Sequence, residues 1–283
     1  MKISLGTVQF GSTYGAFNTR GQVPLNEAGD LLALASKFGV KELDTARAYG
    51  DAERVLAILN ASFKFNLISK CPALRKEINP ADSLLSAFES TLSTLKVQKI
   101  SGYLLHDAED LLRPRVYSAL LDLRNSGRVD RIGFSGYDVQ DALQLCRKYQ
   151  VDVVQLPANV LDPWYENVEF PTGVEVHVRS AFLQGFLLSK PEDLPNHLMQ
   201  FSGLLREFRA DAQAQGLTAL EAALAPLIGN PQITKVVVGA DNLQQLSEIL
   251  RATQKYEGQS KLKFGPYNGA SKDLTDPRRW RVP

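Results

Sequence analysis

The chain has 283 residues, 44% of them hydrophobic, with 32 lysines and arginines against 31 aspartates and glutamates. That length fits a single (β/α)8 barrel, and the balanced charge leaves no broad electrostatic footprint for nucleic acid or an anionic membrane. The two cysteines, Cys71 and Cys146, exclude a disulfide framework, and no apolar run reaches the roughly 18 residues of a membrane span.

The opening "MKISLGTVQFG" reads as a strand, without the apolar core of a signal peptide, so a cytoplasmic, reducing location is expected. Short runs rich in Leu, Ile and Val then alternate with amphipathic stretches along the whole chain. In order, the runs predict strands at Ser4–Phe10, Glu42–Asp44, Asn66–Lys70 and Gly102–His106. Four more follow at Arg131–Ser135, Val153–Leu156, Val174–Ser180 and Thr234–Gly239. Helical patterns lie between them, among them "EAGDLLALASKFG", "ADSLLSAFESTLSTLK" and "DVQDALQLCRKYQ".

Local signals mark several boundaries. Asp51 suits a helix cap, Pro114 a first helical turn, and Gly39 and Gly127 helix ends. "VLDPWYENVEFPTG" is too short and Pro-interrupted for a full helix and predicts a turn or loop. Two helical patterns separate the last two strands, so one is an extra element. The polar tail from Gly258 is expected to wrap over the barrel mouth, with Arg278, Arg279 and Arg281 around Trp280 as a solvated cluster. The resulting fold is an α/β TIM barrel, a single domain over residues 1–283.

In such folds chemistry gathers at the carboxyl ends of the strands. Asp44, Lys70 and His106 stand at three consecutive strand ends, and Tyr49 follows Asp44 by five residues. A free phenol, with a pKa of about 10, is a poor acid at neutral pH. A lysine ammonium beside it favours the phenolate, and a carboxylate holds that lysine charged and pointed. An imidazole on the next strand can orient a carbonyl oxygen. Taken singly, Asp44 reads as a turn cap, Tyr49 as a surface aromatic and Lys70 as a rim residue. His177 and His197 look incidental, and the scattered histidines make no metal site. Cys71 beside Lys70 reads as a space-filling residue rather than a reactive thiol. Lys70 also leaves open a Schiff-base lyase.

The set "LDTARAYG", "ISK" and "YLLH", with "GRVDRIGFSGY" and "VQLPAN" further on, resembles the aldo-keto reductases, NAD(P)H-dependent barrel enzymes. The resemblance runs from "LGTVQFG" to "VVVGADNLQQLSEIL". It implies that Tyr49 is the general acid, that Lys70 and Asp44 tune it, and that His106 positions a carbonyl. It further implies cofactor contacts from Gly6, Thr7, Asp44, Ser135 and Gln155, and from Ser180, Phe182 and Gln184 in "VRSAFLQG". Gly239, Ala240, Gln245 and Glu248 would face the adenosine end.

Four positions depart from the family's pattern, one of them Ile249, where an Asn usually follows the residue matched by Glu248. Gly136 replaces an Asn, and Arg179 replaces the aromatic that stacks on the nicotinamide. A guanidinium can stack on a ring, and its charge disfavours the oxidised, cationic nicotinamide. At the end that distinguishes NADPH, Gln245 stands where a basic residue is usual, beside Asp241. The resemblance thus implies NADPH by default, with NADH possible. It implies a small-molecule aldehyde or ketone substrate and a monomer or small homo-oligomer; "GTVQFG", "TYG" and "RSAFLQG" look nearest to bacterial members linked with sugar and polysaccharide metabolism, which implies a sugar-derived carbonyl. Tyr14, Trp164, Tyr165 and Trp280 are candidate pocket walls. Oxidation of an aldose by the same site, and a cofactor-binding sensor with little turnover, remain alternatives.

Overall fold

A computed structural model of the chain describes residues 1–259 and 262–280. Eight parallel strands close into a barrel in sequence order, the last returning to pair with the first. They are β1 (Ile3–Gly6), β2 (Glu42–Asp44), β3 (Asn66–Cys71), β4 (Ile100–Leu105), β5 (Val129–Ser135), β6 (Val153–Pro157), β7 (Glu175–Arg179) and β8 (Ile233–Val238). β1, β2 and β6 are buried throughout, as strands must be when side chains fill one face and helices cover the other.

The helices are α1 (Val8–Gly11), α2 (Leu25–Lys37), α3 (Ala52–Ile58), α4 (Pro80–Leu95), α5 (Val116–Asn125), α6 (Val139–Lys148), α7 (Ser202–Ala214), α8 (Ala219–Ile228), α9 (Leu243–Tyr256) and α10 (Lys272–Thr275). This is the expected (β/α)8 barrel, and α7 and α8 supply the extra helix before β8. None of the described helices is long and apolar enough to cross a membrane.

β1 is shorter than its apolar run predicts. It ends at Gly6, because the Thr7 backbone N–H donates to the Asp44 carbonyl oxygen at 2.9 Å and the chain turns into α1. Phe10 is apolar because that turn is buried, not because the strand continues. Asp51 precedes α3, yet its side chain makes no capping bond. Pro114 lies outside the first turn of α5; Arg115, with a left-handed backbone, intervenes. Gly39 and Gly127 do follow helix ends, with φ of +83° and +73°. The Pro-interrupted segment after β6 forms one 3-10 turn, Trp164–Glu166.

The tail docks rather than floats. Tyr267, Leu274 and Trp280 are buried with Val160 and Leu161 after β6 and with Leu183 and Phe186 after β7, so the tail covers the carboxyl mouth. Arg278 is not simply solvated: its guanidinium lies over the Tyr137 ring, 3.1 Å from the centroid, and grips Asp276. Arg281 lies outside the described residues.

Inside the barrel the side chains form three layers. At the amino end, Arg131 of β5 bridges Glu42 of β2 (2.8 Å) and Glu175 of β7 (2.6 Å), and His177 lies 3.1 Å from Glu175. These strands are not neighbours, so the pairs meet across the lumen. The middle is apolar, a cluster of Ile68, Leu104 and Val153. At the carboxyl end the filling turns polar again.

Candidate active site

Two residues after Glu42 on the same face of β2, Asp44 points into the upper layer. Its Oδ1 accepts from Lys70 Nζ of β3 at 2.6 Å, and its Oδ2 from Gln155 Nε2 of β6 at 2.7 Å. Lys70 is fully buried, and its remaining donors go to the Thr45 carbonyl oxygen at 3.0 Å and to Tyr49 Oη at 3.5 Å. Burial would lower the lysine's pKa, but the Asp44 charge and then Tyr49 outweigh it and raise it. The ammonium is therefore held charged with every donor spoken for.

Tyr49 stands on the loop between β2 and α3, and glycines seat that loop. α1 crosses it so closely that a Cβ at Gly11 would collide with the Tyr49 carbonyl oxygen, and one at Gly50 with the Gly11 carbonyl oxygen. Gly50 also has φ of +55°, where a side chain is strained. The truncation of β1 into α1 is thus what places the phenol.

His106 follows β4, and its ring meets that of Tyr49 edge to face, centroids 5.7 Å apart. Burial, the Lys70 charge and the Arg179 charge push its pKa down to about 4. At neutral pH it is an uncharged imidazole, able to donate one N–H without competing for the Lys70 charge. Cys71, buried next to Lys70, has its thiol pushed up to about 12 by burial, so it is no nucleophile.

Three of the four residues are divided between two clefts. The first, of about 370 Å³, runs from Tyr49 and Asp44 past Gly6 and Thr7 to the β8 end. Arg179, Ser180, Phe182 and Gln184 line it along one side, and Gly239, Gln245 and Glu248 close its far end. The second, on the other side, is lined by His106, Ser135, Gly136, Tyr137 and Arg278. Lys70, Gln155 and Ala240 line neither; Lys70 and Gln155 act on the clefts through Asp44 and Tyr49. Tyr14 lines the first cleft, whereas Trp164, Tyr165 and Trp280 line neither. The indoles of Trp164 and Trp280 donate to the carbonyl oxygens of Pro157 and Leu274, and Tyr165 is buried.

Arg179 is docked in this structure on the opening of the β5 loop. Its Nη2 donates to the Gly136 carbonyl oxygen at 2.9 Å, and the guanidinium lies 4.2 Å from the Tyr137 centroid. Arg278 reaches the same ring from the tail. Gly136 thus offers its backbone to Arg179, and Tyr137 holds two cations. Nothing in the sequence signalled Tyr137, since its partners come from β7 and from the far end of the chain.

The first cleft has the features of a ligand site. It has backbone at Gly6 and Gly239 where a ligand can approach, and a Cβ at Gly239 would strike the Gln9 amide. Gln9 Oε1 and Asp241 Oδ1 are buried there without a hydrogen-bond partner. Such unsatisfied atoms in a cleft are what a polar ligand completes. Gln9 and Asp241 both belong to the wall, and Gln9 was hidden in sequence by the strand assigned to it.

A sequence model of the Aldo/keto reductase family matches residues 2–259. An aldo-keto reductase of Mycobacterium sp. (strain KMS) is 28% identical over 177 residues, covering 60% of this chain and 64% of that one. "Oxidoreductase sirO" of Leptosphaeria maculans is 33% identical over 107 residues, covering 37% of this chain but only 32% of that protein. This chain therefore aligns with under two thirds of either relative. Among solved structures, aldo-keto reductase AKR11C1 of Bacillus halodurans, in its holo form, superposes with a TM-score of 0.70. That match covers 94% of this chain and 95% of the other at 17% identity, and it bears on fold alone. With the family's sequence pattern matched over nearly its whole length, the chain belongs to the aldo/keto reductase family.

Proposed function

We propose that the protein reduces a small aldehyde or ketone, sugar-derived or otherwise, at the expense of a reduced nicotinamide cofactor, with Tyr49 as general acid. The observation that carries this reading is the chain of contacts Asp44–Lys70–Tyr49, ending at the first cleft with the His106 ring beside it. The cofactor, held along the cleft by the residues around Gly6, Ser180 and Gly239, would supply the hydride.

The protein's own part is proton management. The substrate oxygen sits between Tyr49 Oη and the His106 imidazole, and the neutral imidazole orients it by donating a hydrogen bond. As negative charge develops on that oxygen, Tyr49 passes it the hydroxyl proton. Lys70, pinned by Asp44 and the Thr45 carbonyl, stabilises the phenolate left behind. Gln155 keeps Asp44 from turning away from the lysine.

Consumption of reduced nicotinamide, followed by absorbance against a panel of aldehydes, ketones and sugars, tests the reading. A lyase would instead trap its substrate on Lys70 under borohydride and ignore the nicotinamide. The geometry favours the reductase: Lys70 is bonded three ways and lines neither cleft, so a carbonyl carbon has no approach to Nζ. The Arg179 charge at the cleft also favours the neutral, reduced ring, which supports reduction over aldose oxidation.

A further inference from the structure

We infer that the adenosine end of the first cleft is built for the unphosphorylated ribose of NADH rather than the 2′-phosphate of NADPH. The inference rests on the nicotinamide reading above and concerns only which dinucleotide the cleft takes.

A 2′-phosphate brings a charge of about −2 and acceptor oxygens, so it needs cations or free donors. A 2′-hydroxyl brings a donor, which a carboxylate accepts. The wall at the β8 end offers acceptors: Asp241, Gln245 and Glu248. Among the described residues lining the cleft the one cation is Arg179, which stands at the end of β7 and is docked on Gly136.

Two groups at this end are already engaged. The Gln245 side-chain oxygen accepts from the Asp241 N–H at 2.8 Å. Asn242, capping α9, accepts from the Gln245 N–H, which removes one of the amides a helix start would turn toward an anion. Asp241 itself is short of donors, for its Oδ1 is buried with no partner, and burial raises its pKa. A hydroxyl relieves that shortage and a phosphate deepens it.

One cation stands close by and argues the other way. Arg20 comes from the loop between α1 and α2, 221 positions before Asp241, and its Nη1 donates to the Asp241 carbonyl oxygen at 2.8 Å. Its Nη2 pairs with Glu27 at 2.9 Å, and Arg20 does not line the cleft. It ties that loop to the end of β8, and its charge, shared with Glu27, faces Asp241 from outside the cleft.

The test is a fluorescence titration of the protein with NADH and with NADPH, repeated on Asp241→Asn and Arg20→Ala. Competition by 5′-AMP and by its 2′-phosphorylated form isolates the ribose end. We expect NADH to bind at least about tenfold tighter than NADPH, and 5′-AMP to outcompete its 2′-phosphate. Asp241→Asn should shrink the gap by about threefold or more, and Arg20→Ala should leave it unchanged. Equal or tighter NADPH binding overturns the inference while leaving the reductase reading intact. So does a gap that Asp241→Asn does not move, or a selective loss of NADPH binding in Arg20→Ala. Binding of neither dinucleotide brings down the reductase reading and this inference together.

Discussion

The barrel interior holds two sets of charged groups, separated by the apolar layer of Ile68, Leu104 and Val153. Each has a cation, a histidine and at least one carboxylate; they differ in where the cation's donors go. In the lower set Arg131 gives Nη2 to Glu42, Nη1 to Glu175 and Nε to the Ser101 carbonyl oxygen, and no group of the set lines either cleft. In the upper set Lys70 spends two donors on Asp44 and Thr45 and turns the third to a phenol that opens on a cleft. The lower cation is turned wholly inward, on carboxylates and a backbone carbonyl; the upper one ends on a phenol that reaches a cleft, the arrangement the proposed proton transfer uses. That division follows the general one between the stability face and the active face of such barrels.

If the division holds, single substitutions should separate activity from stability. The largest effect is expected from Tyr49→Phe, which should cut turnover by about 10²–10⁴-fold while cofactor affinity and thermal midpoint stay near wild type. The converse is Arg131→Met, which leaves Glu42 buried without its cation. It should cost roughly 3–5 kcal/mol of unfolding free energy, read by denaturant titration, with kcat of the folded protein little changed.

Gly11→Ala probes how the upper set is positioned. Its new methyl would collide with the Tyr49 carbonyl oxygen and the Ala52 nitrogen, so the backbone carrying the phenol should shift by about an ångström or more and kcat fall by about 10²-fold. Normal kcat in that variant would mean the loop tolerates the shift.

Titration sharpens the contrast further. The His177 hydrogen bond and the Arg131 charge hold the Glu175 carboxyl down to about 2, below its ordinary 4.5. A depressed acid contributes stability that is present above pH 4.5 and is lost as pH falls toward 2. The gap in thermal midpoint between wild type and Glu175→Gln should therefore be constant above pH 4.5 and close below it. His106, held down to about 4, should leave kcat/KM without a histidine inflection between pH 6 and 8. An inflection near 6.5 would mean that the ring is not desolvated in the working enzyme. The smallest effect is expected from Arg179→Tyr, which should tighten oxidised-cofactor binding by a few-fold, about 1 kcal/mol or less.

The sequence pattern conveyed what local chemistry controls. Parallel strands show as short apolar runs, and Asp44, Tyr49, Lys70 and His106 stand at or just past their ends because polar groups are tolerated there. What depends on the lumen or on distant segments was not visible. "ISLGTVQF" reads as one strand, yet a tertiary bond from Thr7 to Asp44 ends it at Gly6 and makes the turn that seats Tyr49. His177 looked incidental because Glu42 and Arg131 come from β2 and β5, across the barrel. Arg278 looked solvated because Tyr137 lies far back in the chain. Likewise Gln155 showed only as a cofactor contact, while its bond to Asp44 appears once β2 and β6 face each other.

The most direct test of the upper set's role sets wild type beside Tyr49→Phe. Each is given reduced nicotinamide and the same panel of aldehydes and ketones, with loss of cofactor absorbance as readout and cofactor binding measured in parallel. Turnover by wild type on at least one carbonyl, lost in Tyr49→Phe at unchanged cofactor affinity, is the expected result. Tyr49→Phe turning over as fast as wild type would mean that the proton comes from elsewhere, and the role assigned to the Asp44–Lys70–Tyr49 chain would fall.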